Sequence, residues 1–224
     1  MDVLALILTV GLEVTPVPGL PDRDFRGMSS HYVHTLREGD RLNVFLDSNG
    51  GFDLQEDPAK PMIFISAGTG FAPMRAFLWE RLGLQQAGAR LAEAALFNGI
   101  RSSSLDYIYR DEIEWFAAEG VLDHLYVATS RDRPGRPGYV QDRIREQSPL
   151  VWRLLTAGGY VYICGSQPMR EAVRDAFVEV AMHHGSLSRE HAEAYLSELE
   201  TTARYRPDLW TDLREPAWTY WPSS

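Results

Sequence analysis

Downstream of Pro61, the chain alternates between apolar runs and amphipathic stretches. The run at 62–70 is apolar and ends in glycines, and the stretch at 71–88 has apolar positions at helical spacing. Further strands are predicted at 92–99, 122–129 and 160–165, and further helices at 111–119, 140–147 and 168–184. Strands that are apolar without strict alternation are typical of a parallel sheet covered by helices on both faces. The pattern therefore predicts a doubly wound α/β fold.

The first 60 residues have a different pattern. Short strand-like runs occupy 6–14 and 42–46, and a stretch rich in turn-forming residues at 15–24 separates them. This arrangement predicts the remaining part of a β-rich domain. We therefore predict a β-rich domain at 1–60, an α/β domain at 61–210 and a C-terminal tail at 211–224.

Composition narrows the function classes. The chain has 224 residues, of which 45% are hydrophobic and 24% are charged, as in globular proteins. Its net charge of −9 argues against a nucleic-acid backbone or an anionic membrane surface as the main partner. Because Lys60 is the only lysine, cationic sites must be built from arginine, whose planar fork suits phosphate and carboxylate.

The cysteine and histidine content argues against metal and disulfide sites. Cys164 is the only cysteine, which excludes internal disulfides and cysteine-cluster metal sites and fits a reducing compartment. The six histidines lack the spacing of a metal motif, so no metal site is expected. The apolar run at 3–12 is too short for a membrane span, and Asp2 stands where a signal peptide carries positive charge. We therefore expect a cytoplasmic protein without a membrane span.

A glycine-rich turn joins the first strand of the α/β region to its first helix. Gly68, Thr69 and Gly70 occupy this turn. Glycines there let the backbone approach a pyrophosphate, and the N–H groups of the helix N-terminus favour its charge. A glycine turn after a strand is also common without any ligand, and both interpretations stay open at this point.

A second polar cluster follows the third strand of this region. Ser130, Arg131 and Arg136 lie in an arginine-rich loop, and Tyr139 offers a flat aromatic face beyond it. Arginines at the carboxyl end of a parallel strand suit a dianionic phosphate. A solvated loop would have a similar sequence, so this pattern alone leaves both interpretations open.

Two further residues are ambiguous when taken singly. Cys164 ends the fourth strand at the same sheet edge, where a lone cysteine is more typical of a small buried hydrophobe than of a reactive group. Trp210 follows the last predicted helix, where a tryptophan usually caps the core.

The motifs gain meaning from their order. GTGFAPMRAF at 68–77 is followed by SRD at 130–132, GYVQ at 138–141, YICGS at 162–166 and RYRPDLW at 204–210. In this order and spacing they resemble the C-terminal half of the diflavin reductases. That family includes NADPH–cytochrome P450 reductase and the reductase part of bacterial P450–reductase fusions. Residues 27–32 resemble the family's turn that holds the FAD pyrophosphate, and the resemblance extends over about 8–210.

The resemblance implies a ferredoxin-reductase-like NADP-binding domain preceded by a partial FAD-binding β-barrel. For FAD, it implies binding at the turn formed by Gly27, Met28, Ser29 and Ser30, with Trp210 stacked on the isoalloxazine ring. For NADP(H), it implies Gly68, Thr69 and Gly70 at the pyrophosphate and nicotinamide with Arg101 close by, Ser130 and Arg131 at the 2′-phosphate, and Tyr139 and Gln141 at the adenosine end.

The resemblance also implies a catalytic set and an electron path. Cys164 approaches the nicotinamide, Asp208 assists hydride and proton movement, and Trp210 moves aside for the nicotinamide. The reaction implied is hydride transfer from NADPH to FAD, with the protein positioning the two rings and excluding water. Single-electron transfer to FMN in a separate, flavodoxin-like domain follows, and a cytochrome P450 or similar acceptor lies downstream.

The chain departs from the family pattern at four places, one of which is Ser166, where the family tends to have an acid. Pro137 stands where the family has a lysine, and we expect Arg136 to supply that charge. The family's strand that cradles the isoalloxazine precedes the alignable region, and 224 residues leave no room for the FMN domain. We therefore expect an N-terminally truncated chain, or one completed by a neighbouring chain, with weak FAD binding. A tail at 211–224 follows the residue at which the family normally stops.

Two alternatives remain beside a working hydride-transfer module. In the first alternative, the chain is a non-catalytic NADP(H)-binding fragment that does not retain FAD. In the other, the aromatic, acidic C-terminus is a docking surface and the chain is an interaction subunit.

Overall fold

The computed structural model describes residues 7–12, 14–17, 19–44, 51–132 and 138–210, with the backbone alone at positions 21 and 210. The chain divides into two compact units, Met1–Gly51 and Phe52–Ser224. The boundary that we predicted between residues 60 and 61 lies further along the chain than this division. Among the described residues, none of the helices combines the length and the apolar character that a membrane crossing requires.

The first unit contains one hairpin and one helix among its described residues. Strand β1 (Val14–Val17) pairs antiparallel with β2 (Leu20–Arg26), and Gly19 turns the chain with a φ of +79°. Helix α1 (Met28–Thr35) follows at once. The described part of the unit does not resolve into the predicted β-barrel, which stays a prediction.

The strand predictions for this unit were wrong. Residues 7–12 and 42–44 have no regular structure, positions 45 and 46 lie outside the described residues, and the hairpin occupies the stretch at 15–24 that was predicted as turns. The hairpin is solvated on both faces, because the side chains described in β2 are exposed and only Val17 of β1 is half-buried. A strand without a buried face carries no apolar run, so the hydrophobic pattern does not reveal it.

The second unit is built on the predicted parallel sheet. Its five strands are β3 (Met62–Ala67), β4 (Ala94–Ile100), β5 (His124–Thr129), β6 (Tyr160–Ser166) and β7 (Tyr205–Trp210). All neighbours are parallel, and the spatial order is β5-β4-β3-β6-β7. The chain moves from β3 to one side, then returns to the other side for β6. The switch point between β3 and β6 is where such sheets bind ligands, at the carboxyl ends of the strands.

Helices cover both faces of the sheet, which confirms the doubly wound α/β prediction. Six helices occupy the described part of this unit: α2 (Phe71–Gln86), α3 (Arg110–Ala118), α4 (Val140–Glu146), α5 (Ser148–Thr156), α6 (Gln167–Gly185) and α7 (Arg189–Thr201). Alternate residues of β3 serve the two cores. Phe64 packs with α2 and α3, whereas Ile63 and Ile65 pack with α4 to α7.

The sequence pattern did not predict α7 or β7. Helix α7 is capped at its N-terminus by Ser188, whose hydroxyl accepts the N–H of His191, and its buried side is narrow. Strand β7 contains Pro207, which suits its place at the edge of the sheet because proline donates no ladder hydrogen bond.

The segment at 52–60 belongs to the second unit because it is tied to the sheet. The backbone N–H of Gln55 donates to the hydroxyl of Tyr162 at 2.8 Å. Arg206 donates from Nη1 to the carbonyl of Asp53 at 2.6 Å, and Leu54 is buried in the core. These contacts explain why the structural division falls before this segment.

Candidate functional site

The glycine turn lies at the switch point of the sheet. Residues Gly68–Gly70 form one turn of 3-10 helix between β3 and α2. Gly68 has a φ of +55°, in the left-handed region, and apart from its chain neighbours no heavy atom of the described residues lies within 4 Å of where a Cβ would stand. Open space therefore faces this backbone at the start of a 16-residue helix. First-turn N–H groups of a helix lack intrahelical partners, so the place suits an anion.

Backbone hydrogen bonds hold two arginines side by side at the next two strand ends. Ser130 donates its N–H to the carbonyl of Ile100 at 3.1 Å, and Arg131 donates its N–H to the carbonyl of Arg101 at 2.8 Å. The pairing of β4 with β5 thus continues past the strands. Both arginine side chains are exposed, while Ser130 is half-buried. Two guanidinium groups and a hydroxyl at this edge form a donor set that suits a phosphate dianion.

Two carboxylates shape this corner of the site, and the sequence reasoning missed both. Asp106 accepts the N–H groups of Arg101 and Ser102, and Asp132 accepts the N–H of Ser103. Hydrogen bonds from the side chains of Ser102 and Ser103 lower the pKa of Asp132, so it is charged at neutral pH. The short spacing of Arg101 and Asp106 was the available signal, since an aspartate often caps its own loop.

The adenosine-side candidates frame the start of α4. Gly138 donates its N–H to the carbonyl of Thr129 at 3.0 Å, which returns the chain to the end of β5. Tyr139 is the N-cap of α4 and is 48% exposed. Gln141 is half-buried in the first turn of α4. Arg136 lies outside the described residues, and so does the tail at 211–224.

The predicted catalytic residues meet on adjacent strands. Cys164 of β6 lies opposite Asp208 of β7, and its thiol donates to Asp208 Oδ2 over 3.8 Å. Burial, and secondly the charge of Asp208, raises the pKa of the Cys164 thiol to about 12. The thiol is therefore protonated at neutral pH. Trp210 ends β7 opposite Ser166, and the position of its side chain lies outside the described structure.

A buried polar pair continues this row across the sheet. Ser66 of β3 is in register with Cys164, and its hydroxyl donates to Asn98 Oδ1 at 3.0 Å. Both residues are almost fully buried, and Asn98 Nδ2 has no hydrogen-bond partner among the described residues. The sequence carried a signal for this pair, because Ser66 and Asn98 each interrupt an apolar run near its end.

The four residues predicted at the FAD pyrophosphate lie at the start of α1 in the first unit. Gly27 is the N-cap residue, and the Ser30 hydroxyl donates back to its carbonyl at 3.1 Å. Met28 is 87% exposed, and Ser29 is exposed as well. The predicted turn is thus the N-terminus of an exposed helix, and its role in FAD binding stays a prediction.

The structure brings the predicted residues of the second unit together at one sheet edge. The carboxyl ends of its strands carry Gly68, Arg101, Arg131 and Cys164. A glycine turn, a pair of exposed arginines and a buried thiol lie at the successive strand ends where such sheets bind nucleotides.

Comparison with known proteins supports a nucleotide-binding function for this unit. The chain is 39% identical over 204 residues to the sulfite reductase (NADPH) flavoprotein alpha-component of Vibrio cholerae, an alignment that covers 91% of this chain and 32% of that protein. The proteins of the same name from Aliivibrio fischeri and Sodalis glossinidius are 38% and 37% identical over 204 residues, with 91% of this chain and 33% of each relative covered. The chain spans about a third of the length of these curated relatives.

A family match covers the centre of the α/β unit. Residues 64–175 match the family described as the oxidoreductase NAD-binding domain. The matched segment includes the glycine turn, the arginine pair and Cys164. Because it amounts to half of the sequence, the chain belongs to the family of oxidoreductase NAD-binding domains.

Proposed function

We propose that this chain binds NADPH along the carboxyl edge of its parallel sheet and positions it for hydride transfer to FAD. The observation that carries the proposal is the arginine pair. Arg101 and Arg131 are fixed by a backbone hydrogen bond of 2.8 Å at the ligand edge, and both side chains are exposed. A 2′-phosphate gives two guanidinium groups a dianion to share, which NADH lacks.

Different residues of this chain bind different parts of the coenzyme. Gly68, Thr69 and the start of α2 receive the pyrophosphate through backbone N–H groups. Ser130, Arg131 and Arg101 hold the 2′-phosphate, and Tyr139 stacks on the adenine. These contacts follow β3, β4 and β5, on one side of the switch point, and we propose that the nicotinamide end extends across it towards β6 and Cys164.

Positioning is the main catalytic contribution that we assign to this chain. Bound NADPH would supply a hydride, and bound FAD would accept it. Cys164 keeps its proton and donates a hydrogen bond to Asp208, so we propose that a neutral thiol lies beside the nicotinamide. Cys164 is 6% exposed, whereas its partner Asp208 is exposed.

We propose that FAD binding involves the start of α1. Gly27 to Ser30 offer the N–H groups of an exposed helix N-terminus to a pyrophosphate. We propose weak FAD retention, because this helix start is exposed. The stacking role that the family resemblance implies for Trp210 stays a prediction.

We propose that electrons pass to an FMN-containing, flavodoxin-like module, as in the family that the chain resembles. The names of the relatives favour a sulfite reductase partner over the cytochrome P450 that the motifs implied. Reconstituted electron transfer to each type of haemoprotein separates the two.

The experiment that tests the proposal is an anaerobic titration followed by absorption spectroscopy. The purified chain is incubated with FAD, separated from free flavin and mixed with NADPH. A retained flavin band that bleaches on NADPH addition supports hydride transfer. NADPH binding without a retained flavin supports the alternative of a non-catalytic nucleotide-binding fragment. A chain that binds neither NADPH nor FAD contradicts the proposal.

A further inference from the structure

The loops that follow β4 and β5 are cross-linked by carboxylates. Asp106 accepts the N–H of Arg101 at 3.0 Å and the N–H of Ser102 at 2.6 Å. The N–H of Ser103 lies 3.1 Å and 3.2 Å from the two carboxylate oxygens of Asp132. Three consecutive peptide N–H groups, at positions 101–103, therefore end on carboxylate oxygens.

Asp132 differs from Asp106 because it belongs to the other loop. Asp106 closes the β4 loop on itself, whereas Asp132 reaches from the β5 loop to Ser103. Asp132 directly follows Arg131, and Ser103 comes two residues after Arg101. With the bond between the backbones of Arg101 and Arg131, the two loops are joined at successive points.

The described hydrogen bonds of Asp132 come from serine residues and not from the arginines. Neither Arg101 nor Arg131 forms an ion pair with a carboxylate in the described part of the chain. Both guanidinium groups are exposed. The carboxylate instead accepts donors from Ser103 and from the serine side chains beside it.

We propose that Asp132 is a positioning residue that sets the preference of this site for a 2′-phosphate. Its carboxylate holds the backbone at 101–103 against the β5 loop, so that the guanidinium groups of Arg101 and Arg131 converge on one phosphate dianion. This inference rests on the proposed NADPH function. It adds that selectivity depends on an acidic residue that never touches the phosphate.

A carboxylate close to a phosphate site also has an unfavourable electrostatic effect on phosphate binding. Like charges repel, so Asp132 by itself weakens binding of a dianion. Solvent screens this repulsion at an exposed position, and N–H and hydroxyl donors already neutralise part of the charge. Ordering of two exposed arginine side chains is therefore the larger effect, because an unordered site must lose that freedom on binding.

The test compares 2′,5′-ADP with 5′-AMP, which differ by the 2′-phosphate alone. Binding to the purified chain is measured by titration calorimetry for the wild type, Asp132→Ala and Asp132→Asn. Asp132→Ala is expected to weaken the binding of 2′,5′-ADP by about tenfold and to change the binding of 5′-AMP by less than about twofold. Asp132→Asn keeps an acceptor for Ser103, so it is expected to recover most of the lost affinity.

A matched control removes the same charge elsewhere. Glu119→Gln lies at the C-cap of α3, at the end of that helix away from the β4 loop, and is expected to bind both ligands like the wild type. Thermal unfolding of every variant is recorded so that loss of folding is detected separately.

Three outcomes overturn the inference. Tighter binding of 2′,5′-ADP by both Asp132 variants means that the carboxylate competes with the phosphate. Equal losses for the two ligands mean a general structural role. A wild-type chain that binds 2′,5′-ADP no more tightly than 5′-AMP overturns the proposed function as well, whereas the first two outcomes leave it standing.

Discussion

The two edges of the parallel sheet use arginine in opposite ways. At the amino edge, Arg81 is fully buried and donates to the carbonyls of Ala92 at 2.7 Å and Val121 at 3.2 Å. Burial lowers the pKa of Arg81 to about 10, an effect opposed by the charge of Asp123, so the group is still cationic at neutral pH. Its donors are directed at the backbone segments that lead into β4 and β5.

The carboxyl edge leaves its arginines open to a ligand. Arg101 and Arg131 are exposed, and their backbones, not their guanidinium groups, make the described hydrogen bonds. Arginines that are satisfied internally stabilise the fold, and arginines held in place with their side chains unpaired are available for binding. The difference teaches that the position of an arginine relative to the strand ends, and not its residue type, separates the two roles.

The largest expected effect is at the amino edge. Arg81→Met keeps most of the side-chain volume but removes the donors to the carbonyls of Ala92 and Val121. We expect the free energy of unfolding to fall by about 3 kcal/mol, because two inward-facing acceptors lose their partner. Urea denaturation followed by tryptophan fluorescence measures it. Arg110→Met, in an exposed pair with Glu114, is the control, and an equal loss there would contradict the comparison.

At the carboxyl edge, the same kind of change is expected to alter binding and not stability. Arg131→Ala removes the charge-assisted contact that we propose to the 2′-phosphate, so we expect NADPH binding to weaken by about 2 kcal/mol, or roughly 30-fold. NADH is expected to change by less than about twofold. Dissociation constants from fluorescence titration check this, with Arg153→Ala at the amino edge as the control. Equal losses for NADPH and NADH would remove the phosphate role.

Stability in acid gives a further test of the amino edge, where Glu93 lies. Hydrogen bonds from Arg153, and to a smaller extent from His124, lower the pKa of Glu93 from 4.5 to about 2, against the effect of burial. A carboxyl whose folded pKa is lowered contributes stability above pH 4.5, and the contribution is lost as pH falls towards 2. After allowance for solvent screening, we expect about 1–2 kcal/mol from this group.

The measurement compares the wild type with Glu93→Gln in urea at several pH values. The wild type is expected to be the more stable protein at neutral pH, and the difference is expected to shrink over the acid range given above. A difference that stays constant as the pH falls would show that the ion pair does not control acid stability.

The smallest expected effect concerns thiol reactivity. Since Cys164 is 6% exposed and its pKa is raised to about 12, native chain is expected to resist iodoacetamide at pH values near neutrality. Urea-unfolded chain is the control and should be alkylated once, because the sequence has one cysteine. Mass spectrometry counts the adducts. Alkylation of native chain at the rate of the unfolded chain would contradict the buried, protonated state.

The sheet and its glycine turn were predictable because their signals are local. Apolar runs such as 62–70 identify buried parallel strands, and a glycine after such a strand marks the ligand edge. The hairpin of β1 and β2 lacked that signal since its side chains are almost all solvated. Strand β7 was missed because polar residues and Pro207 interrupt it, and an edge strand tolerates both.

Within the candidate site, the residues themselves were predictable from the sequence. The hydrogen bonds that hold them in place were not. Arg131 and Cys164 follow or end predicted strands, so sequence order places them at one edge. The role of Asp132 depends on which loop lies beside it, and that depends on the register of β4 with β5. The partnership of Ser66 with Asn98 likewise depends on the register of β3 with β4. Register is a property of the assembled sheet, not of a local pattern.

The strand order also has a consequence for synthesis of the chain. Strand β3 is the first strand of the sheet to be synthesised, and it lies at the centre of the finished sheet. Its partner β6 follows roughly 100 residues later. At ribosomal rates this interval is on the order of 5–20 s, during which β3 has one open edge. An unpaired apolar edge can capture another chain. The nascent protein therefore carries an aggregation hazard in the strand beneath the proposed nucleotide site.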